Sequence, residues 1–97
     1  MSQVLRFKFK EVSRETVEAD ITLAIFAAEC VYGRPRVRME ASYLIDDDGA
    51  ACVLQVDGEA GASVARVFVG LCAARMGEES YSVQRVTREH DPLGAGT

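Results

Sequence analysis

The longest apolar stretch of the chain runs from Glu15 to Gly33 and has the periodicity of an α-helix. At about 100° per residue its apolar side chains cover roughly 260° of the helical wheel, interrupted by Asp20. A helix that is apolar on nearly every side has to be covered on more than one side. We therefore expect the domain's own sheet to cover one side, and a second helix or a second subunit to cover the other.

Alternation of apolar and polar residues predicts four strands around this helix. They cover residues 4–10, 36–46, 50–56 and 80–88. The third strand is apolar on both faces, which is typical of a strand in the middle of a sheet. Ser13 is a suitable N-cap for the central helix, and a second helix is predicted over Glu59–Met76, capped by Asp57 or Gly58 and ended by Gly77.

This order of elements predicts an α+β domain of the ferredoxin-like kind, β-α-β-β-α-β. Its four-stranded antiparallel sheet would carry two helices on one face and leave the other face open. We expect one such domain over residues 1–88 and a flexible C-terminal tail over residues 89–97. A chain of 97 residues is long enough to fold as one domain without a metal or a disulfide.

The cysteines and the apolar runs indicate a cytoplasmic protein. Cys30, Cys52 and Cys72 lie far apart, with no C-x-x-C pair and no signal peptide in front of them. Such thiols are typical of a reducing compartment, where cysteine behaves as a small hydrophobic residue. Because no apolar run reaches about 18 residues, we expect no membrane span.

The charge balance disfavours nucleic acid as a partner. The net charge is −4, whereas phosphate binding depends on positive charge. The open sheet face is nevertheless predicted to be basic, opposed by Glu40. Its predicted cations are Arg6, Lys8, Lys10, Arg36 and Arg38. RNA platforms on such sheets stack bases on aromatic side chains, but Phe7 and Phe9 fall on the buried side, so we favour a solvated or protein-facing surface.

Two other groups of residues invite a chemical interpretation. Asp46, Asp47, Asp48 and Gly49 form a predicted turn that could hold a cation, but calcium loops need ligands over a longer loop that ends in a bidentate Glu. A charged hairpin tip is the favoured interpretation. His90 lies in the predicted tail, where no element would orient it for catalysis. We therefore predict no catalytic residue, no metal site and no cofactor.

Candidate interface residues lie on both predicted helices. Leu23, Phe26 and Cys30 belong to the wide apolar arc of the first helix. Gly61, Gly70 and Ala73 leave one flank of the second helix nearly bare of side chains. Glycine inside a helix costs about 1 kcal/mol relative to alanine, so the two glycines indicate close packing against a neighbour. The alternative is a flank that faces water with no partner.

Several short motifs and predicted strands follow one another along the chain. Their order is Ala27-Ala28-Glu29, strand 37–43, Gly58-Glu59-Ala60, Gly70, Gly77-Glu78 and strand 82–86. In this order they resemble the hexamer-forming shell proteins of bacterial microcompartments, over residues 19–90. The resemblance implies a homo-hexamer whose pore loop lies at Asp46, Asp47, Asp48 and Gly49. In such a hexamer the three carboxylates of each copy would ring a central pore and favour cations.

The sequence thus predicts a non-enzymatic, homo-oligomeric protein-interaction or assembly module, which binds a second copy of itself or another protein. The alternative is a small-molecule-sensing regulatory domain of the βαββαβ kind, in which a ligand such as an amino acid sits between paired domains. The absence of a glycine-rich turn after the first strand counts against that alternative. An enzyme is least favoured, because no positioned base or metal cluster is evident.

Overall fold

The first strand, β1 (Gln3–Phe9), lies inside the sheet, beside β3 (Ala51–Val56). The structure is a computed structural model that describes residues 2–86. The other elements are α1 (Arg14–Tyr32), α2 (Arg34–Glu40), β2 (Ala41–Ile45), α3 (Gly58–Leu71), a π-helical segment (Cys72–Met76) and β4 (Tyr81–Val86). Residues 2–86 therefore form an α+β fold, with a four-stranded antiparallel sheet and three α-helices. The predicted tail, residues 89–97, lies outside the described residues.

The sheet has the strand order β2-β3-β1-β4, and each pair of neighbours is antiparallel. The prediction that the third strand lies in the middle of the sheet is confirmed. Phe7 of β1 pairs with Cys52 of β3 on one side and with Val83 of β4 on the other. Because side chains alternate along a strand, Phe7 is fully buried beneath the helices while Arg6 and Lys8 are exposed on the opposite face.

Helix α1 begins and ends within one residue of its predicted bounds. The Oγ atom of Ser13 accepts a hydrogen bond from the backbone N–H of Thr16 at 3.2 Å, which satisfies a donor of the first turn. At the other end Gly33 has φ +90° and its N–H donates to the Glu29 carbonyl at 2.9 Å. Both end signals read from the sequence are confirmed.

The predicted second strand is wrong over its first half. Residues 34–40 form the short helix α2, and the strand starts only at Ala41. Pro35 lies in the first turn of α2, where its missing N–H costs no hydrogen bond, and Arg36 pairs with Glu40 one turn later at 3.0 Å. Val37 is the buried residue of α2. Because the helix has seven residues and buries one side chain, its sequence shows no helical periodicity. Within the described part of the chain, three α-helices, rather than two, therefore accompany the sheet.

Helix α3 begins at Gly58 after the N-cap residue Asp57, in agreement with the predicted position. The carboxylate that caps this end comes from Glu40, however, whose Oε1 accepts from the backbone N–H groups of Ala60 at 2.9 Å and Gly61 at 3.3 Å. The hydrogen bond from Arg36, followed by these backbone hydrogen bonds, lowers the pKa of Glu40. The end of α2 is thereby tied to the start of α3.

The predicted long second helix is divided into two parts. Its α-helical part ends at Leu71, and residues 72–76 continue as a π-helical segment that stops at Gly77, as predicted. The core between helices and sheet centres on Phe68 and Phe7, whose rings meet edge to face with centroids 4.8 Å apart. Cys72 at the start of the π-helical segment is fully buried in the same core.

Candidate interaction surface

Helix α1 carries two apolar faces, and the protomer buries one of them. Its inner face packs in the core through Val17, Ile21, Ala24 and Ala28. Its outward face carries Ala19, Leu23, Phe26 and Cys30, all exposed, which we call the outer stripe. Leu23 is 46% exposed and Phe26 is 60% exposed. Spacings of four, three and four residues place these side chains in one line along a helix.

The predicted interface residues of α3 and the segment after it have different environments. Gly61 is buried, and a Cβ atom there would collide with the backbone carbonyl oxygen of Glu40, so its close packing occurs within the protomer. Gly70 is exposed, and a Cβ atom built on it meets nothing within 4 Å. Ala73 is half-buried. Gly70 and Ala73 thus remain available to a neighbour, while Gly61 is not.

A buried ion pair lies beside the outer stripe. Asp20 is 1% exposed, and its Oδ1 lies 2.8 Å from Nε of Arg75, whose side chain is 55% exposed. The approach is close but poorly aligned, so neither carboxylate oxygen of Asp20 accepts a hydrogen bond within residues 2–86. Arg75 belongs to the π-helical segment. Such segments are rare and frequently occur at functional sites.

The ion pair and the outer stripe together line a shallow groove. Leu23 and Phe26 are its large apolar side chains, and Glu15 and Glu18 from the first turns of α1 also line it. Asp20 and Arg75 complete the lining. The sequence shows Asp20 as a break in an apolar run, which was a signal that a cation would be needed nearby, but it did not indicate which one.

The open sheet face differs from its prediction. Arg36 and Arg38 lie on α2, and Glu40 caps α3, so these three residues leave the sheet. Arg6 and Lys8 remain on β1, and Leu44 of β2 is 70% exposed. Strand alternation and the cross-strand pairing place no aromatic side chain on this face among the described strands.

The turn at residues 46–49 is closed by local hydrogen bonds. The N–H of Gly49 donates to the carbonyl of Asp46, and the N–H of Ala50 donates to Oδ1 of Asp48, both at 2.9 Å. Arg14 at the start of α1 also donates to the carbonyl of Asp46, at 3.0 Å. The predicted turn is confirmed. Its role as a pore loop concerns an assembly of several copies and stays a prediction.

The three cysteines differ in burial and therefore in the reactivity of their thiols. Burial raises the pKa of Cys52 to about 11 and that of Cys72 to about 12, with the negative charge of Asp20 as a second cause for Cys72. Both thiols are therefore protonated at neutral pH, whereas Cys30 is exposed. His90 lies outside the described residues. Within residues 2–86 no three His, Cys, Asp or Glu side chains are grouped closely enough to hold a metal ion.

None of the helices in residues 2–86 has the length and apolar character that a membrane span requires. No protein-family model matches the chain, and no curated protein matches it.

Proposed function

We propose that the protein is a non-enzymatic homo-oligomeric assembly module that binds its own copies through the outer stripe of α1. The observation that carries the proposal is the exposure of Leu23 and Phe26 at the centre of a continuous apolar line. Isolated exposed apolar residues are common on monomers, but an aligned set beside a shallow groove is typical of an interaction site.

The exposed side chains explain why association would be favourable. Full burial of a Leu or Phe side chain contributes about 1.5–3 kcal/mol, and roughly half of each is still accessible here. Leu23 and Phe26 therefore retain about 1–2 kcal/mol each that burial against a partner would release.

The proposal includes a ferredoxin-like fold for the protomer. The antiparallel order β2-β3-β1-β4 and the two β-α-β halves support it, with α2 as an added helix before β2. It also includes, as its more specific form, a hexamer of the shell-protein kind. In that hexamer Asp46, Asp47 and Asp48 would line a central pore that favours cations.

Sedimentation velocity over a range of protein concentrations tests the proposal. We expect the wild-type protein to sediment as an oligomer, and the Phe26→Glu variant to shift to the monomer because a charge would have to be buried in the contact. Met39→Glu is the matched control, since Met39 is 86% exposed on α2 and away from the stripe. A hexamer would support the shell-like form, and a dimer would exclude it.

A monomer at every concentration would overturn the proposal. The same conclusion would follow if Phe26→Glu and Met39→Glu sedimented alike, because the outer stripe would then have no special role. Circular dichroism spectra of both variants show whether each one is folded, so that loss of assembly is not confused with unfolding.

A further inference from the structure

We infer that the outer stripes of two copies pack antiparallel in a single register, with Leu23 of one copy opposite the partner's Phe26. This inference rests on the proposed function and specifies its contact as a two-fold one, which is an alternative to the cyclic hexamer, because a ring is closed by heterologous contacts. The two-fold axis would pass between Leu23 and Phe26 and make the contact isologous, the commonest arrangement in homodimers. The register then follows for the other residues of the stripe, and Ala19 lies opposite the partner's Cys30.

The spacing of the stripe selects this register. Leu23 and Phe26 are its large residues and lie at its centre, while Ala19 and Cys30 are small and lie at its ends. In the antiparallel register large side chains meet large ones in the two central layers, and small ones meet in the two outer layers. A shift by one helical turn would place Leu23 opposite the partner's Thr22 and leave the stripe partly uncovered. Knobs-into-holes packing requires such matched layers.

The charges along α1 favour the antiparallel direction. Glu15 and Glu18 lie in its first turns, and the exposed Arg34 begins α2 just after Gly33 ends α1. With Ala19 opposite the partner's Cys30, Glu15 lies level with the C-terminal end of the partner's α1, where Arg34 begins the next helix. A parallel pair would instead place Glu15 beside its own counterpart and Glu18 beside its own, and like charges at a contact are unfavourable.

The flanking positions bring fewer carboxylates together in the antiparallel pair than in the parallel one. Glu29 is the acidic residue in the second half of α1, on the same flank as Glu18 and Thr22. In the antiparallel register Glu29 of each copy lies level with a point midway between the partner's Glu18 and Thr22, which makes two approaches of like charge in the dimer. A parallel pair makes three, because Glu15, Glu18 and Glu29 each lie beside their own counterpart.

Disulfide crosslinking tests the register directly. In the inferred dimer the two native Cys30 residues lie eleven residues apart along the helix axis, which is about 16 Å at 1.5 Å per residue. Because a disulfide needs Cα atoms within about 7 Å, wild-type protein should not crosslink through Cys30. The Ala19→Cys variant should crosslink, since the introduced thiol faces the partner's Cys30. A mild oxidant such as diamide takes up the two electrons and two protons that each thiol pair releases.

Two further variants provide matched controls. Ala19→Cys combined with Cys30→Ser leaves two thiols about 16 Å apart in the antiparallel pair, so it should not crosslink. Met39→Cys combined with Cys30→Ser reports random collision, because Met39 is exposed away from the stripe. We expect Ala19→Cys to form the dimer about 100-fold faster than this collision control at micromolar protein, as held thiols have millimolar effective concentrations. Cys52 and Cys72 are buried and contribute no background.

Each outcome of the test decides the inference. Fast crosslinking confined to Ala19→Cys would support it. Crosslinking of wild-type protein through Cys30, together with the double variant, would show a parallel pair and overturn it. If the protein sediments as an oligomer but no thiol at position 19 or 30 crosslinks, the inference is overturned and the proposed function stands. If the protein sediments as a monomer, both are overturned.

Discussion

Replacement of Arg75 by alanine tests whether its guanidinium stabilises the buried carboxylate of Asp20. Removing one partner of a fully buried ion pair costs about 3–5 kcal/mol, because the other charge is left uncompensated. Arg75 is 55% exposed, so water entering the vacated space would solvate part of the carboxylate and reduce this cost. We therefore expect Arg75→Ala to lower the free energy of unfolding by about 2–3 kcal/mol. In a domain of this size that corresponds to a fall in Tm of roughly 10–20 °C.

Urea denaturation followed by far-ultraviolet circular dichroism measures this effect as a double-mutant cycle. The four proteins are the wild type, Arg75→Ala, Asp20→Asn and the double variant, all at one protein concentration because oligomer stability depends on concentration. Once Asp20→Asn has removed the charge, Arg75→Ala should cost less than about 1 kcal/mol. Arg66→Ala, at an exposed position of α3, is the control and should stay within about 0.5 kcal/mol of the wild type.

Two results would refute this reasoning. One is a free energy of unfolding for Arg75→Ala that equals that of Arg66→Ala, which would show that Asp20 needs no cation. The other is an equal loss from Arg75→Ala with and without the charge at position 20. In that case the side chain of Arg75 would stabilise the fold through its packing alone.

Three further predictions concern the cap, the glycines and the exposed thiol. The pKa of Glu40 is lower in the folded protein than in the unfolded chain. Its charge therefore stabilises the fold above the unfolded pKa of about 4.3, and this stabilisation is lost as the pH falls through the folded pKa. The Tm of Glu40→Gln should accordingly lie below that of the wild type at pH 7, and the difference should shrink toward pH 3. A constant deficit would contradict this. Gly70→Ala should raise the free energy of unfolding by about 1 kcal/mol. Gly61→Ala should lower it, because the added Cβ would collide with the Glu40 backbone. A higher Tm for Gly61→Ala than for Gly70→Ala would exclude this packing. Titration with a thiol reagent should modify Cys30 in dilute native protein and the other two cysteines only after unfolding, and reaction at a second thiol before unfolding would contradict the burial of the core.

Local signals predicted most of the elements because the residues that carry them act within one turn or one strand. Ser13 and Gly33 satisfy the backbone groups of the helix to which they belong, so their effect can be read without knowing the rest of the fold. The double-sided apolar pattern of β3 likewise reports burial on both of its faces. The predicted fold class, α+β with an antiparallel four-stranded sheet, follows from the order of these elements.

Helix α2 and the packing of Gly61 depend on contacts between residues far apart in the sequence. Arg36, Arg38 and Glu40 alternate with apolar residues as a strand would, and the helix they form depends on Pro35 and on Glu40 reaching the first turn of α3. No pattern within residues 34–40 records that contact. The same limit applies to Gly61, whose close packing was predicted but whose neighbour was the protomer's own α2.

By itself the sequence determined that α1 is apolar on more sides than one sheet can cover, because hydrophobic periodicity is a property of the helix alone. Tertiary structure decided which of those sides remain uncovered, since burial depends on where α2 and α3 pack. In the folded protein Asp20 is buried beside Arg75, whereas Leu23 and Phe26 face outward. The pairing of a carboxylate in one helix with a cation fifty-five residues later is a matter of distance in space, which a linear pattern does not contain.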